Sequence, residues 1–543
     1  MAGISVRDFA GIAPATTSIL LPDNAADIAL NCDLEHGDYR AFRSPRKIMT
    51  PSKVGVKKTI YRFGQNLDNE SQYWFHWLDM VDVVKGQIAG DTEELTYFTG
   101  DTTYGHPRFT SFSSALMGGG DTYPLNSFRL GIPAPLTAPV ATVTGMGSGT
   151  TETRVYVVTF VGTRGEEGLP SPPVTVTLTP GQAVVLDNLP LPPSSYAIGG
   201  KRLYRTLTGS SSGTNYQYVS DLTSTQLTYT DTMAASALGE TMTTLNYLPP
   251  PDELAGIKNM PNGIMIGYVG NDIYACEPYK PYAWPTRYIQ TIDYPVVGFA
   301  VFGEFCIICT KGTPYVMSGA DSASLSLQKL EVMASCVAKR SIVSTGYGAM
   351  YASPMGLVLA TPSQANIVTN NILNREDWQA LNPSSIHGYF YDGKYIGFYD
   401  NGTQKGGFIF NLRNPKQPFV LIDVYATAGY VDVAKEALYL QIGNDVMRWA
   451  DGDGYLEGTW RSKKFRSIMP LNYGFAQVLA DVYPVKFAVF ADGRLVGTNY
   501  VTSSKAFRLK AGFKARDWQI EIGGKNRVTQ VILTQAAREL AQT

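Results

Sequence analysis

Val296-Val-Gly-Phe-Ala-Val-Phe302 is followed, two residues later, by Phe305-Cys-Ile-Ile-Cys-Thr310. Each is a short run of β-branched, aromatic and small apolar residues, and a Gly-Glu pair separates them. Runs of this length, bounded by turn residues, read as strands rather than helices. The same texture recurs outward in both directions, in Gly263-Ile-Met-Ile-Gly-Tyr268 and in Lys394-Tyr-Ile-Gly-Phe-Tyr399. Asp392-Gly393, Asn401-Gly402 and Asp492-Gly493 sit where hairpins need residues that accept positive φ. Helical periodicity is confined to Arg375–Leu381 and Gln535–Gln542. The fold class expected is all-β.

Composition narrows the function. The chain has 543 residues, enough for several domains, with 44% hydrophobic and only 17% charged residues. The 45 Lys and Arg nearly balance the 46 Asp and Glu. That balance argues against a dedicated nucleic-acid or anionic-membrane binder, which needs a strong positive field. No apolar run approaches the length of a membrane-spanning helix. Arg7 and Asp8 interrupt the place where a secretion signal would be apolar, so none is expected.

Three regions can be told apart. Residues 134–250 hold strand signals at Arg154–Val161, Val174–Leu178, Ala183–Leu189, Lys201–Thr206, Tyr216–Ser220 and Thr228–Asp231, with a Gly/Ser hairpin loop at 209–214. With the opening run from Pro135, this is the spacing of a β-sandwich. Its ends, Ile132-Pro-Ala-Pro-Leu136 and Leu248-Pro-Pro-Pro251, read as semi-rigid spacers. Residues 251–455 carry strand pairs at a spacing that suits four to five blades of a β-propeller, at roughly 40–45 residues each. Residues 1–133 supply further strands, expected to contribute to a propeller or a platform. Residues 456–543 read as a small β platform.

The candidate chemical motifs weigh against catalysis. Cys306 and Cys309 have C-x-x-C spacing, but no second pair follows, and residues three apart in a strand face opposite ways. With Cys32, Cys276 and Cys336 they read as buried thiols. His36, His76, His106 and His387 are too scattered to form a metal or general-base cluster. Asp451-Gly-Asp-Gly454 has the alternating carboxylates of a calcium loop without its remaining ligands. It reads as a turn. Gly145-Met-Gly-Ser-Gly149 precedes a strand and does not open a helix, as a phosphate cradle would. We assign no catalytic, cofactor-binding or metal-ligating residue and expect a protein that is not an enzyme. Two basic clusters stand out: Arg40, Arg43, Arg46, Lys47, Lys53, Lys57 and Lys58, and then Arg461, Lys463, Lys464 and Arg466. They suit solvated faces, or contacts with an acidic neighbour or DNA.

Several stretches resemble one family. Gly270-Asn-Asp-Ile-Tyr-Ala-Cys-Glu-Pro-Tyr-Lys-Pro-Tyr-Ala-Trp-Pro285, Cys336-Val-Ala-Lys-Arg-Ser-Ile-Val343 and Tyr351-Ala-Ser-Pro-Met-Gly-Leu-Val358 are similar to segments of virion tail proteins. So are Trp460-Arg-Ser-Lys-Lys-Phe465, Ala506-Phe-Arg-Leu509, Gly11-Ile-Ala-Pro14 and Asn31–Asp38. Together they resemble the tail nozzle (tail tubular protein B-like) proteins of short-tailed bacteriophages. The order of an aromatic strand, Gly165-Glu-Glu-Gly-Leu-Pro-Ser-Pro172 and Arg202-Leu-Tyr-Arg-Thr206 resembles inserted fibronectin type III-like modules. The resemblance implies a propeller with a platform and an inserted sandwich. It implies a homo-oligomer, most often a hexamer, joined to adaptor or portal-proximal proteins, with tail fibres as further partners. DNA would pass through the ring without sequence-specific binding. The implied location is the virion, after assembly in the host cytoplasm. A receptor-binding or fibre-anchoring hub is the first alternative, and a carbohydrate-active propeller enzyme the second.

Overall fold

The computed structural model describes residues 3–64, 68–119, 122–207, 215–414, 419–510 and 512–542. The hairpin loop expected at 209–214 lies outside them. The fold is all-β, built of many small antiparallel sheets, and its described α-helices, Phe112–Leu116 and Arg375–Ala380, are short.

Seven of the sheets follow one another around a centre. Sheet 1 is the pair Thr59–Arg62 and Trp74–Trp77. Sheet 2 starts at Asp82–Lys85 and ends at Phe128–Arg129. Sheets 3, 4 and 5 start at Ala255–Asn259, Val296–Phe302 and Val343–Ser344. Sheet 6 starts at His387–Tyr391 and sheet 7 at Ala428–Asp432. The first strands of sheets 2 to 7 each pack against the next, and that of sheet 7 packs against that of sheet 1. Sheets 1 and 2 meet through Phe63, Phe75, Trp77, Val81 and Phe98. The succession therefore closes on itself. Sheet 7 takes its outer strand, Arg46–Met49, from far upstream, where Met447 pairs with Lys47.

This arrangement explains the near-continuous apolar runs. Each sheet lies between two others, so both faces are covered. In sheet 4, Phe299, Cys306 and Ile308 meet Ile264 and Ile266 of sheet 3. Ala300, Ile307 and Cys309, on the other face, meet Tyr351 and Val358 of sheet 5. Cys306 and Cys309 thus belong to two different cores. All five cysteines are free and buried.

The segment between sheets 2 and 3 is a two-sheet sandwich. Val140–Thr144, Ala183–Asp187 and Tyr229–Asp231 form one sheet. Glu152–Gly162, Ile198–Thr206 and Tyr216–Thr223 anchor the other. Tyr156, Val158, Val184, Leu186 and Leu203 share its core. Its first two strands lie in opposite sheets, whereas in an immunoglobulin sandwich they share one. The joint is not a spacer. Leu130 and Ala197 are buried with Tyr97, Phe109 and Trp284 of sheets 2 and 3, and Gly131 lies against Pro249 and Pro250. The Pro-rich ends are rigid because they are packed.

The last unit combines both ends of the described chain. Gly3–Val6 pairs with Val528–Thr534, which pairs with Phe475–Ala480. Ala26–Leu30 pairs antiparallel with Gly458–Ser462 and meets sheet 6 in parallel, Leu30 opposite Leu421. One ten-stranded sheet thereby runs from the ring into this platform. Phe9 stacks edge-on against Trp460 at 4.9 Å, and the Trp460 Nε1–H donates to the Ala10 carbonyl at 2.9 Å.

Candidate functional site

The cavity with the clearest chemical character, of about 630 Å³, is walled by the ring. All seven sheets or the turns leading into them line it, through residues that include Thr59, Asp82, Lys258, Phe299, Val343, Tyr389 and Val431. Lys58, Lys258, Lys339 and Arg340 bring positive charge to its wall, and among the described residues Asp82 is the one carboxylate there. Lys58 and Gly346 are exposed and Met80 and Val433 largely so, so the cavity opens to solvent.

Small residues let the wall form. The first strands begin Ala255-Gly256, Val296-Val-Gly298, His387-Gly388 and Ala428-Gly429, and each of these glycines lines the cavity. A Cβ at Gly429 would come within 2.6 Å of the Tyr389 ring, and one at Gly298 within 2.8 Å of Ile342. Side chains of the adjacent sheet fill that space.

Two cations come from the turn Lys339–Ser341, within the stretch Cys336–Val343. The Ser341 hydroxyl donates to the Ala338 carbonyl at 2.6 Å and accepts from the Ala352 N–H at 2.8 Å, which fixes the turn. Lys339 Nζ lies 2.5 Å from Asp82 Oδ2 and 5.8 Å from the Tyr268 ring centre. Burial works against its charge, but Asp82 and Tyr268 outweigh that and raise its pKa. Arg340 donates to the Thr427 carbonyl. His387 lies behind Tyr389. Its Nε2 faces the Ala426 carbonyl at 2.9 Å, and its Nδ1 the Tyr389 hydroxyl at 3.2 Å. Burial first, then Arg340, hold its pKa well below the ordinary value. The ring is therefore neutral, with its proton on Nε2 and Tyr389 donating to Nδ1.

Of the residues singled out from sequence, Lys58 lines the cavity, His387 lies behind its wall, and the motif Cys336–Val343 supplies Lys339, Arg340, Ile342 and Val343; the others fall elsewhere. His76 is buried and accepts from the Lys53 N–H at 3.3 Å. His106 lies beside Arg108, and His36 is remote from both in sequence. Asp451 accepts from Arg46 at 2.6 Å, and Glu457 pairs with Lys525, so these carboxylates serve ion pairs. The basic clusters are largely neutralised within the chain. Arg40 pairs with Asp38, Lys47 with Asp445, Arg461 with Glu521, Lys463 with Asp23 and Arg466 with Asp517. Lys57 is buried. Lys258, Lys339 and Arg340 were not anticipated as a group. The glycine that recurs near the start of four first strands, those of sheets 3, 4, 6 and 7, is the signal that could have marked the wall.

No family sequence pattern matches the chain. No curated protein matches it either. Among solved structures, the chain is similar to BBS1N, crystallised in complex with ARL6DN, at 11% identity and a TM-score of 0.26, over 49% of this chain and 83% of that one. It is also similar to Hsv2 of Kluyvelomyces marxianus, at 9% identity and a TM-score of 0.23, over 61% of this chain and 95% of that one. Among the described residues, no helix is long and apolar enough to cross a membrane, and no group of three or more His, Cys, Asp or Glu is placed to hold a metal ion.

Proposed function

We propose that the seven sheets are the blades of a β-propeller and that the chain is a structural ring subunit of a bacteriophage tail, of the nozzle kind. The observation that carries this reading is the continuous sheet from sheet 6 through Ala26–Leu30 into the platform. A conduit wall must hold its parts at fixed positions while DNA passes. A hydrogen-bonded sheet shared by two units resists their relative motion better than a linker does. The resembling motifs support the same role. Trp284, Cys336, Tyr351 and Trp460 are buried between elements, where they set packing. Internal pairing of the basic clusters favours passage over gripping, because cations already neutralised contribute little to holding phosphates.

In this reading the chain forms a closed ring with heterologous contacts, most often a hexamer, between adaptor or portal-proximal proteins and the tail tip. It works as a virion component rather than an enzyme. The docked sandwich favours a second reading, a hub that anchors fibres or a receptor. Mass photometry of the recombinant protein with its adaptor, followed by projection images of tails, tests the proposal. A ring with the chain on the tail axis is expected. A chain found only as a monomer, or only at the tail periphery, overturns the conduit reading, and the peripheral position supports the hub.

A further inference from the structure

We infer that the central cavity is a binding site for a small phosphate-bearing anion of the pyrophosphate class. The inference rests on the cavity alone and does not depend on the tail reading. Lys339 is already matched by Asp82. That leaves Lys58, Lys258 and Arg340 lining one space with no second carboxylate on its wall among the described residues. Like charges gathered on apolar walls repel one another, and the potential they create is focused into the cavity. Phe299, Ile342, Val343, Phe390 and Val431 supply those walls. A multivalent anion relieves the repulsion.

The chemistry of the cations selects phosphate. Arg340 offers a planar fork of five N–H donors, of which the Thr427 carbonyl and the Tyr389 hydroxyl engage part, and such forks match phosphate oxygens. The two lysines come from the approach to sheet 1 and from sheet 3, so the charges lie on different sides of the cavity. A ligand with charge at both ends suits that spread better than a single carboxylate. Its size is suitable too, since ligand cavities run from about 300 to 1,000 Å³. Neutral His387 behind Tyr389 adds no competing charge.

The test is isothermal titration calorimetry of the full chain with inorganic pyrophosphate at low ionic strength. One saturable site is expected, weakened at least about tenfold in Lys258→Gln and in Arg340→Gln, the loss of one charge-assisted hydrogen bond. Lys505→Gln, on an exposed loop, should bind like the parent. Lys58 is exposed, so Lys58→Gln keeps the fold and should also lose affinity, which keeps the test decisive if an inner variant misfolds. A short single-stranded oligonucleotide forms the second arm. Absence of saturable binding, equal affinity across all variants, or binding of the oligonucleotide without pyrophosphate would each overturn the inference.

Discussion

Asp231 shows how one residue can hold a module together. Its carboxylate is fully buried in the sandwich, accepts from the Tyr156 hydroxyl at 2.7 Å and pairs with the buried Arg205. Its other oxygen accepts from the Met233 N–H at 2.9 Å, while Arg205 donates to the Met233 carbonyl at 2.7 Å. Removing one partner of such a pair leaves an uncompensated charge in low dielectric, which costs about 3–5 kcal/mol. We expect Asp231→Ala to unfold the module selectively. Limited proteolysis should then cleave within 134–250 while the ring resists. Uniform resistance would show that Arg205 finds another partner. At this scale much was readable beforehand. The positive φ of Asp392, Gly393, Asp492 and Gly493 follows from their turn chemistry. The opposed faces of Cys306 and Cys309 follow from strand alternation. The convergence of Lys58, Lys258 and Arg340 was not readable, because each is set by a different sheet and no local period links them.

At the scale of elements, the weakest tolerance belongs to the approach of the N-terminal segment to sheet 6. The Ile12 N–H donates to the Phe419 carbonyl at 3.0 Å, and the Ala26 N–H to the Gly11 carbonyl at 3.1 Å. A Cβ on Gly11 would collide with the Phe419 carbonyl, a backbone atom that cannot swing aside. Overpacking of this kind costs about 1–3 kcal/mol. Gly11→Ala should lower the denaturant midpoint followed through tryptophan fluorescence. An unchanged midpoint would show that the strand can shift without loss. Strand positions themselves were legible: the runs at 296–302 and 394–399 are strands over Val296–Phe302 and Lys394–Asp400. Their partners were harder to see. Gly3–Val6 carries no mark of its pairing with Val528–Thr534, since antiparallel pairing needs only a compatible face and leaves no trace of sequence distance.

For the whole molecule, the informative contact is between sandwich and ring. Glu166 lies there with Tyr97, Phe109, Ile132 and Tyr282. Burial, and to a lesser degree Glu93, raise its pKa despite the opposing effect of Arg164. A raised carboxyl pKa means that docking favours the protonated form. Its contribution is fully present at low pH and is lost as pH rises through the raised value. Cleavage at the joints near 133 and 250 should therefore quicken as pH rises above the ordinary carboxylate range. Glu166→Gln should flatten that profile, and a profile unchanged by the substitution would rule Glu166 out as its source.

The outer strand of sheet 7 has a consequence for synthesis. Arg46–Met49 leaves the ribosome early, yet its partner Asp445–Arg448 is made some 400 residues later. At translation rates of about 5–20 residues per second the gap is on the order of 20–80 s. Gly3–Val6 waits longer still for Val528–Thr534. During that interval these strands present unpaired edges in a crowded cytosol, where another nascent copy offers the same complementary surface. Crosswise capture between neighbouring chains on one polysome would give interlocked pairs in place of single subunits. Slow expression, or a chaperone that holds the first fifty residues, should raise the yield of correctly closed protein.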